Sequence, residues 1–189
     1  MLLALSLIGC ARSDDPVFLR TADDIYGLRS FPPGTRVGML FLYLENRSEF
    51  DITIQEVIPR GSGLGESVRI EEMKAPPNRG GSGSVPSGAY VTDPPVFYST
   101  EEGACHVGSF SRLKGFVLEP RGQMRVWMIL ELGRPGDFEV TDFTVRYRSD
   151  GRAGEQTMPQ GFEGSVRVDA RESRPDRIER PCLGITSLL

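Results

Sequence analysis

Hydrophobic and polar positions alternate along much of this chain, and elsewhere the apolar residues fall into short unbroken runs. In "FDITIQEV", Phe50, Ile52 and Ile54 take one side while Asp51, Thr53 and Gln55 take the other. That period of two is expected of a strand with one face on a core and the other in water. "DFTVRYRSDGR" has the clearest pattern, with Phe143, Val145 and Tyr147 inward and Thr144, Arg146 and Arg148 outward. Its Asp150-Gly151 pair tolerates the positive φ angles of a tight hairpin. "VGMLFLYLEN" (37–46) is nearly continuously apolar, as a strand buried on both faces would be, until Glu45-Asn46-Arg47-Ser48 breaks it. "RGQMRVWMILELG" sets Met124, Val126, Met128 and Leu130 against Arg125, Trp127 and Ile129. Both faces are largely apolar, so this strand is predicted to be central. Shorter strands are predicted in "SVRIEEM", in "LKGFVLEP" (113–120, stopped by Pro120) and in "GSVRVDA" (164–170).

Between these runs, "APPNRGGSGSVPSGAYVTDPP" (75–95) is too rich in Gly and Pro to keep a ladder and is predicted to be a long mobile surface loop. No segment has the periodicity of a strong helix, so right-handed crossovers between parallel strands lack their connecting element. Seven to nine short strands separated by turn signals predict an all-β fold, an antiparallel immunoglobulin-like β-sandwich.

Composition adds a size and excludes one partner class. Of 189 residues, 39% are hydrophobic and 25% charged, which suits one soluble domain with a sizeable core. A net charge of -4 with scattered basic residues argues against nucleic acid as a partner, since that binding needs clustered Lys and Arg. Arginine far outnumbers lysine, which is represented only by Lys74 and Lys114. With the abundant Gly and Pro, that points to a GC-rich bacterial source, such as an actinobacterium.

The first residues, "MLLALSLIGC", hold an apolar run from Leu2 to Gly9. A spanning helix needs roughly 20 apolar residues, whereas a signal-peptide core needs only about 7–15. Leu7-Ile8-Gly9-Cys10 resembles the lipobox of bacterial lipoproteins, which implies cleavage before Cys10 and lipidation of its sulfur. In that family Lys or Arg precedes the apolar core, and none stands between Met1 and Leu2. A start upstream of Met1 is the alternative to an accidental match. A buried N-terminal strand with an ordinary core cysteine is the competing reading. The polar segment "ARSDDPVFLRTADD" that follows suits a solvated stalk better than a core element. The chain therefore divides into a signal peptide (1–9), a lipid-anchored tether (10–34) and a sandwich domain (35–189) with a C-terminal tail (171–189).

Lipobox, "LENRS", the Gly/Pro loop, "EPRGQ" and "VRYRSDGR" together resemble small immunoglobulin-like lipoproteins of Gram-positive bacteria over 35–170. The resemblance implies a sandwich anchored on the extracytoplasmic face of the cell membrane, and it implies no catalytic residue.

The remaining cysteines, Cys105 and Cys182, form an even pair, for which an oxidising compartment favours one disulfide. It would close a loop of roughly 77 residues. Two reduced cysteines buried apart are the alternative. Cys105-His106 invites a thiol–imidazole reading, but neighbours in an extended segment point to opposite sides. A half-cystine beside a surface histidine is the expectation. Met39, Met124 and Met128 sit inside strand patterns and are expected to fill core gaps, not to bind copper. "GSGLG" (61–65) lacks the spacing of a phosphate cradle and reads as a strand connection. Asn46-Arg47-Ser48 matches a glycosylation sequon, and the turn reading is preferred. No carboxylate pair stands out as an acid and a base.

No catalytic residue, cofactor or metal site is therefore expected. The predicted role is a non-catalytic binding module, held at the membrane by its lipid and meeting an envelope protein through its loops, chiefly 75–95 and also 133–137. The alternative is an envelope hydrolase or metal-trafficking protein with a scattered site.

Overall fold

The computed structural model describes residues 18–19, 25–75, 88–90, 96–99, 104–107 and 111–170. In chain order the strands there are β1 (Phe18–Leu19), β2 (Ile25–Phe31), β3 (Arg36–Asn46), β4 (Ile52–Ser62), β5 (Val68–Ala75), β6 (Gly88–Tyr90), β7 (Val96–Ser99), β8 (Ala104–Val107), β9 (Ser111–Arg112), β10 (Val117–Leu118), β11 (Gln123–Leu132), β12 (Gly136–Ser149), β13 (Arg152–Met158) and β14 (Gly161–Val166). The described residues contain no helix. One sheet runs β1-β3-β11-β5-β9, with β6 added to β3. The other runs β10-β4-β12-β14-β2, with β13 added to β12, and β7 with β8 forms a separate ladder. Every pairing is antiparallel except that of β2 with β14. This is the expected immunoglobulin-like sandwich, but with fourteen strands among the described residues where seven to nine were predicted, because two- and three-residue pairings such as β1, β6 and β9 are too short to show an alternation.

The alternation read from the sequence is what joins the sheets. Leu42, Leu44, Val126, Met128 and Leu130 from the first sheet meet Ile52, Ile54, Phe143, Val145 and Phe162 from the second in one buried cluster. Each such side chain contributes about 1.5–3 kcal/mol relative to leaving it in water. Met39, Met124 and Met128 lie in the same cluster. β11 is central, between β3 and β5, and its second face is buried as well: Trp127 and Ile129 are 0% and 1% exposed. The indole lies over Gly38 of β3, where a Cβ would collide with the ring. Asp150 (φ 47) and Gly151 (φ 71) form the two-residue hairpin between β12 and β13, both in the left-handed region that a type I′ turn requires.

Several expectations are corrected. Part of the predicted tether, 10–34, belongs to the sandwich: Phe18–Leu19 pairs with β3, and Ile25–Phe31 forms β2, whose Phe31 is buried. "IYGLRSF" is a weak local pattern, broken by Gly27 and Arg29, and its partner β14 lies more than a hundred residues away, beyond any sequence window. Within 75–95, Ala75 ends β5 and Gly88–Tyr90 pairs with β3. Between β5 and β9 the chain thus visits the far side of its own sheet. Phe50 is 53% exposed, since it precedes β4 and is not part of its inner face. Thr144 is buried although it lies on the outer face. The last strand among the described residues is Gly161–Val166, earlier than predicted, and Val168 is 78% exposed beyond it.

Two polar side chains tie the frame together. Asn46 is wholly buried, its Nδ2 donating to the carbonyls of Phe50 and Leu118 (both 2.8 Å) and its Oδ1 accepting from the Ser48 backbone and hydroxyl. The sequon is therefore a structural turn. A bulge in β3 opposite Arg125–Trp127 is bridged by Gln160, whose amide accepts from the Tyr43 N–H (3.1 Å) and donates to the Phe41 carbonyl (3.2 Å). The Gln160 side chain thus fastens the β13–β14 corner of one sheet to the rim of the other.

Candidate functional site

A sandwich closes its core only where a strand or loop covers the gap between sheets, and along β4 and β5 neither does so fully. β10 pairs with β4 only at Ile52 and Thr53, and β9 pairs with β5 only at Lys74 and Ala75. Between those contacts lies an open groove of about 870 Å³, floored by Val57, Leu64, Ile70, Met73 and Leu113. Four of these side chains are only half-buried and pack on the core cluster, with Leu113 part of it. The groove is thus the core itself, showing at one long edge.

Part of the backbone at both margins has no partner among the described residues, and the register shows which groups those are. The Val68 N–H donates to the Gly63 carbonyl, and the Val68 carbonyl accepts from Gly65, so both face away from β11. Backbone direction repeats every two residues, so the N–H and C=O of Ile70 face the same way. No described strand meets them. On β4, Ile54 bonds to Phe116 and Gly115 on the β10 side. After the bulge opposite Arg146–Tyr147, the outward residues are Val57 and Pro59. Proline has no N–H to leave unpaired, which is why a strand bearing one lies at an edge. Pro59 thereby blunts the β4 margin and leaves β5 the more receptive side.

A turn closes one end. In "GSGLG" the Gly63 carbonyl accepts from the N–H groups of Glu66, Ser67 and Val68. These amides are satisfied internally, so the segment is the predicted strand connection and not an anion cradle. Gly63 is required there: its φ is +70°, and a Cβ would stand 2.7 Å from the Asp137 carbonyl. The predicted binding loop 133–137 docks on this turn, with Gly133 donating to Ser67 and Arg134 to Glu66. It borders the groove and does not form it.

Charges line the rim and are mostly consumed. Arg146 donates to Glu155 (2.7 Å) and Glu56 (2.9 Å), Arg36 to Glu71 (2.8 Å), Arg69 pairs with Glu131, and Lys74 with Glu72 (3.0 Å). The bond to Glu155 raises the Arg146 pKa, helped by Glu56, and the bond to Glu131 raises that of Arg69. The exception is Lys114, which has no ion pair among the described residues.

The residues singled out from sequence lie elsewhere. Cys105 and His106 are successive positions in the β7–β8 ladder, opposite Tyr98 and Phe97. Cys10, Cys182 and the signal segment fall outside the described residues, and the cysteine pairing with them. Among the described residues no His, Cys, Asp and Glu side chains gather in threes as a metal ion would need, and no helix is long and apolar enough to cross a membrane. In the sequence Val57, Ile70, Met73 and Leu113 look like ordinary strand residues and Leu64 like part of a turn, so nothing in their local pattern marks a groove. The one signal available was Pro59, a proline inside a strand pattern.

No family model matches the chain, and no curated protein matches it. Among solved structures, the chain is similar to the ASH/PapD-like domain of human CEP192, at 10% identity and a TM-score of 0.37, over 82% of this chain and 92% of that one. It is also similar to a family 123 glycoside hydrolase from Clostridium perfringens, at 10% identity and a TM-score of 0.36, over 76% of this chain but only 22% of the enzyme. At these scores neither likeness bears on function.

Proposed function

We propose that this chain is a non-catalytic binding module, lipid-anchored through Cys10 on the extracytoplasmic face of the membrane, and that its partner, an envelope protein, docks in the groove between β4 and β5. The observation that carries the docking site is the apolar floor of Val57, Leu64, Ile70, Met73 and Leu113 left open at a sandwich edge. Exposed, contiguous apolar surface in a soluble domain marks an interaction site. The rim favours binding over acid–base chemistry, because Glu56, Glu71 and Glu72 are already held by cationic partners.

The anchor and the groove are tested separately. Wild-type protein should remain with membranes after a salt wash and the Cys10→Ser protein should not; retention of both overturns the lipid anchor. For the groove, a photo-crosslinking side chain is placed at Lys114, on its rim, and separately at Arg148, exposed on the outer face of β12. Irradiation in the intact cell envelope should give a discrete cross-linked protein from position 114 and none from position 148. The same products from both positions, or none from either, overturn the groove.

A further inference from the structure

The nature of the groove's margins narrows what fits it. We infer that the groove takes an extended peptide segment, which adds a strand to the free edge of β5 at Ile70, turns alternate apolar side chains onto the floor and sets an acidic residue beside Lys114. This rests on the proposed binding role of the groove and adds the chemistry of its occupant.

Three observations carry it. First, Ile70 presents an N–H and a C=O on the side away from β11 with no backbone partner among the described residues. A peptide backbone offers the complementary pair at the spacing of a sheet, which is how strand addition gains affinity. Secondly, no described strand pairs with the outer side of β5 from Arg69 to Met73, a stretch of about 13 Å at about 3.3 Å per residue, bulged between Ile70 and Glu72. The floor beside it is apolar, so a strand's own alternation supplies side chains to both floor and solvent. Thirdly, the other rim charges at the groove are consumed in ion pairs, and Lys114, at the Leu113 end, is not. An acidic residue there fixes the direction in which the segment lies. Pro59 decides the side: with no N–H on the β4 margin at that point, pairing favours β5.

The test uses the full chain and a fluorescent heptapeptide of alternating Val and Thr ending in Asp. A second peptide is N-methylated at alternate residues, which removes the backbone donors and keeps the side chains. The expected result is saturable binding of the first peptide, at least ~10-fold weaker binding of the second, slowed amide exchange at Ile70, and weaker binding of the first peptide to the Lys114→Glu protein. Equal binding of both peptides, with Ile70 exchanging as in the free protein, overturns strand addition and leaves the groove as a docking site. No binding of either peptide also overturns it, and the cross-linking from position 114 then decides independently whether the groove binds anything. Concentration-dependent self-association that protects Ile70 without peptide makes the occupant a second copy of this chain, and equally overturns the inference.

Discussion

Single residues in this domain matter most where a polar group is buried with its partners. Asn46 satisfies two carbonyls and two donors of Ser48 from a fully enclosed position. Removing the side chain takes the Nδ2 donor from the carbonyls of Phe50, which keeps the Ser48 hydroxyl, and of Leu118, and takes the acceptor from Ser48, at a cost comparable to lost buried hydrogen bonds. Asn46→Ala should destabilise the fold by about 2–3 kcal/mol, read as a lower urea midpoint with an unchanged slope. Tyr147 offers a pH-dependent check. Burial raises its pKa above the usual value of 10.0, so the folded state holds the phenol proton more tightly than the unfolded one. The associated stability is fully present below pH 10 and is lost as the pH rises past that value through the folded pKa. Melting temperatures taken from pH 9 upward should fall more steeply for the wild type than for Tyr147→Phe. Parallel curves would show that burial of this phenol contributes nothing.

Elements show where local pattern suffices and where it does not. The β12–β13 hairpin was legible because one short stretch carries both the period of two and the Asp150-Gly151 turn. β11 was legible as central because Trp127 and Ile129 make its second face apolar, and no solvated strand keeps such a face. β2 and β6 were not legible, since each is held by distant pairing, to β14 and to β3, and Gly27 and Arg29 break the pattern of β2 while β6 is only three residues long. The β3 bulge was equally hidden, because what stabilises it is Gln160, arriving from the other sheet. The packing of β11 on β3 gives a sharp expectation at this scale. Gly38 has an ordinary backbone conformation, so only space requires glycine there, and the Trp127 ring fills that space. Gly38→Ala should cost about 1–3 kcal/mol through overpacking. It should also move the fluorescence of Trp127, the chain's one tryptophan, away from that of a buried indole. Unchanged stability and emission would mean the indole does not sit over β3.

At the scale of the whole molecule, the sandwich follows from patterning, and the groove follows from topology. Val57, Ile70 and Met73 look like core residues in any window; what makes them a site is that β9 and β10 each cover only two residues of the neighbouring margin. The binding loops expected from composition were placed by their Gly and Pro content. The open edge has no compositional mark besides Pro59, so it was missed. Docking in the groove requires that edge to be unpaired in the free protein, and amide hydrogen exchange measures this residue by residue. Arg69 faces Glu131, and Ile58 faces Thr144, at positions where the ladder is bonded, whereas Ile70 and Val57 point to the groove. Fast exchange is expected at Ile70 and Val57 beside slow exchange at Arg69 and Ile58, an alternation along each strand. Protection at Ile70 and Val57 equal to that of Arg69 and Ile58 would show both margins already occupied, and would contradict the docking site.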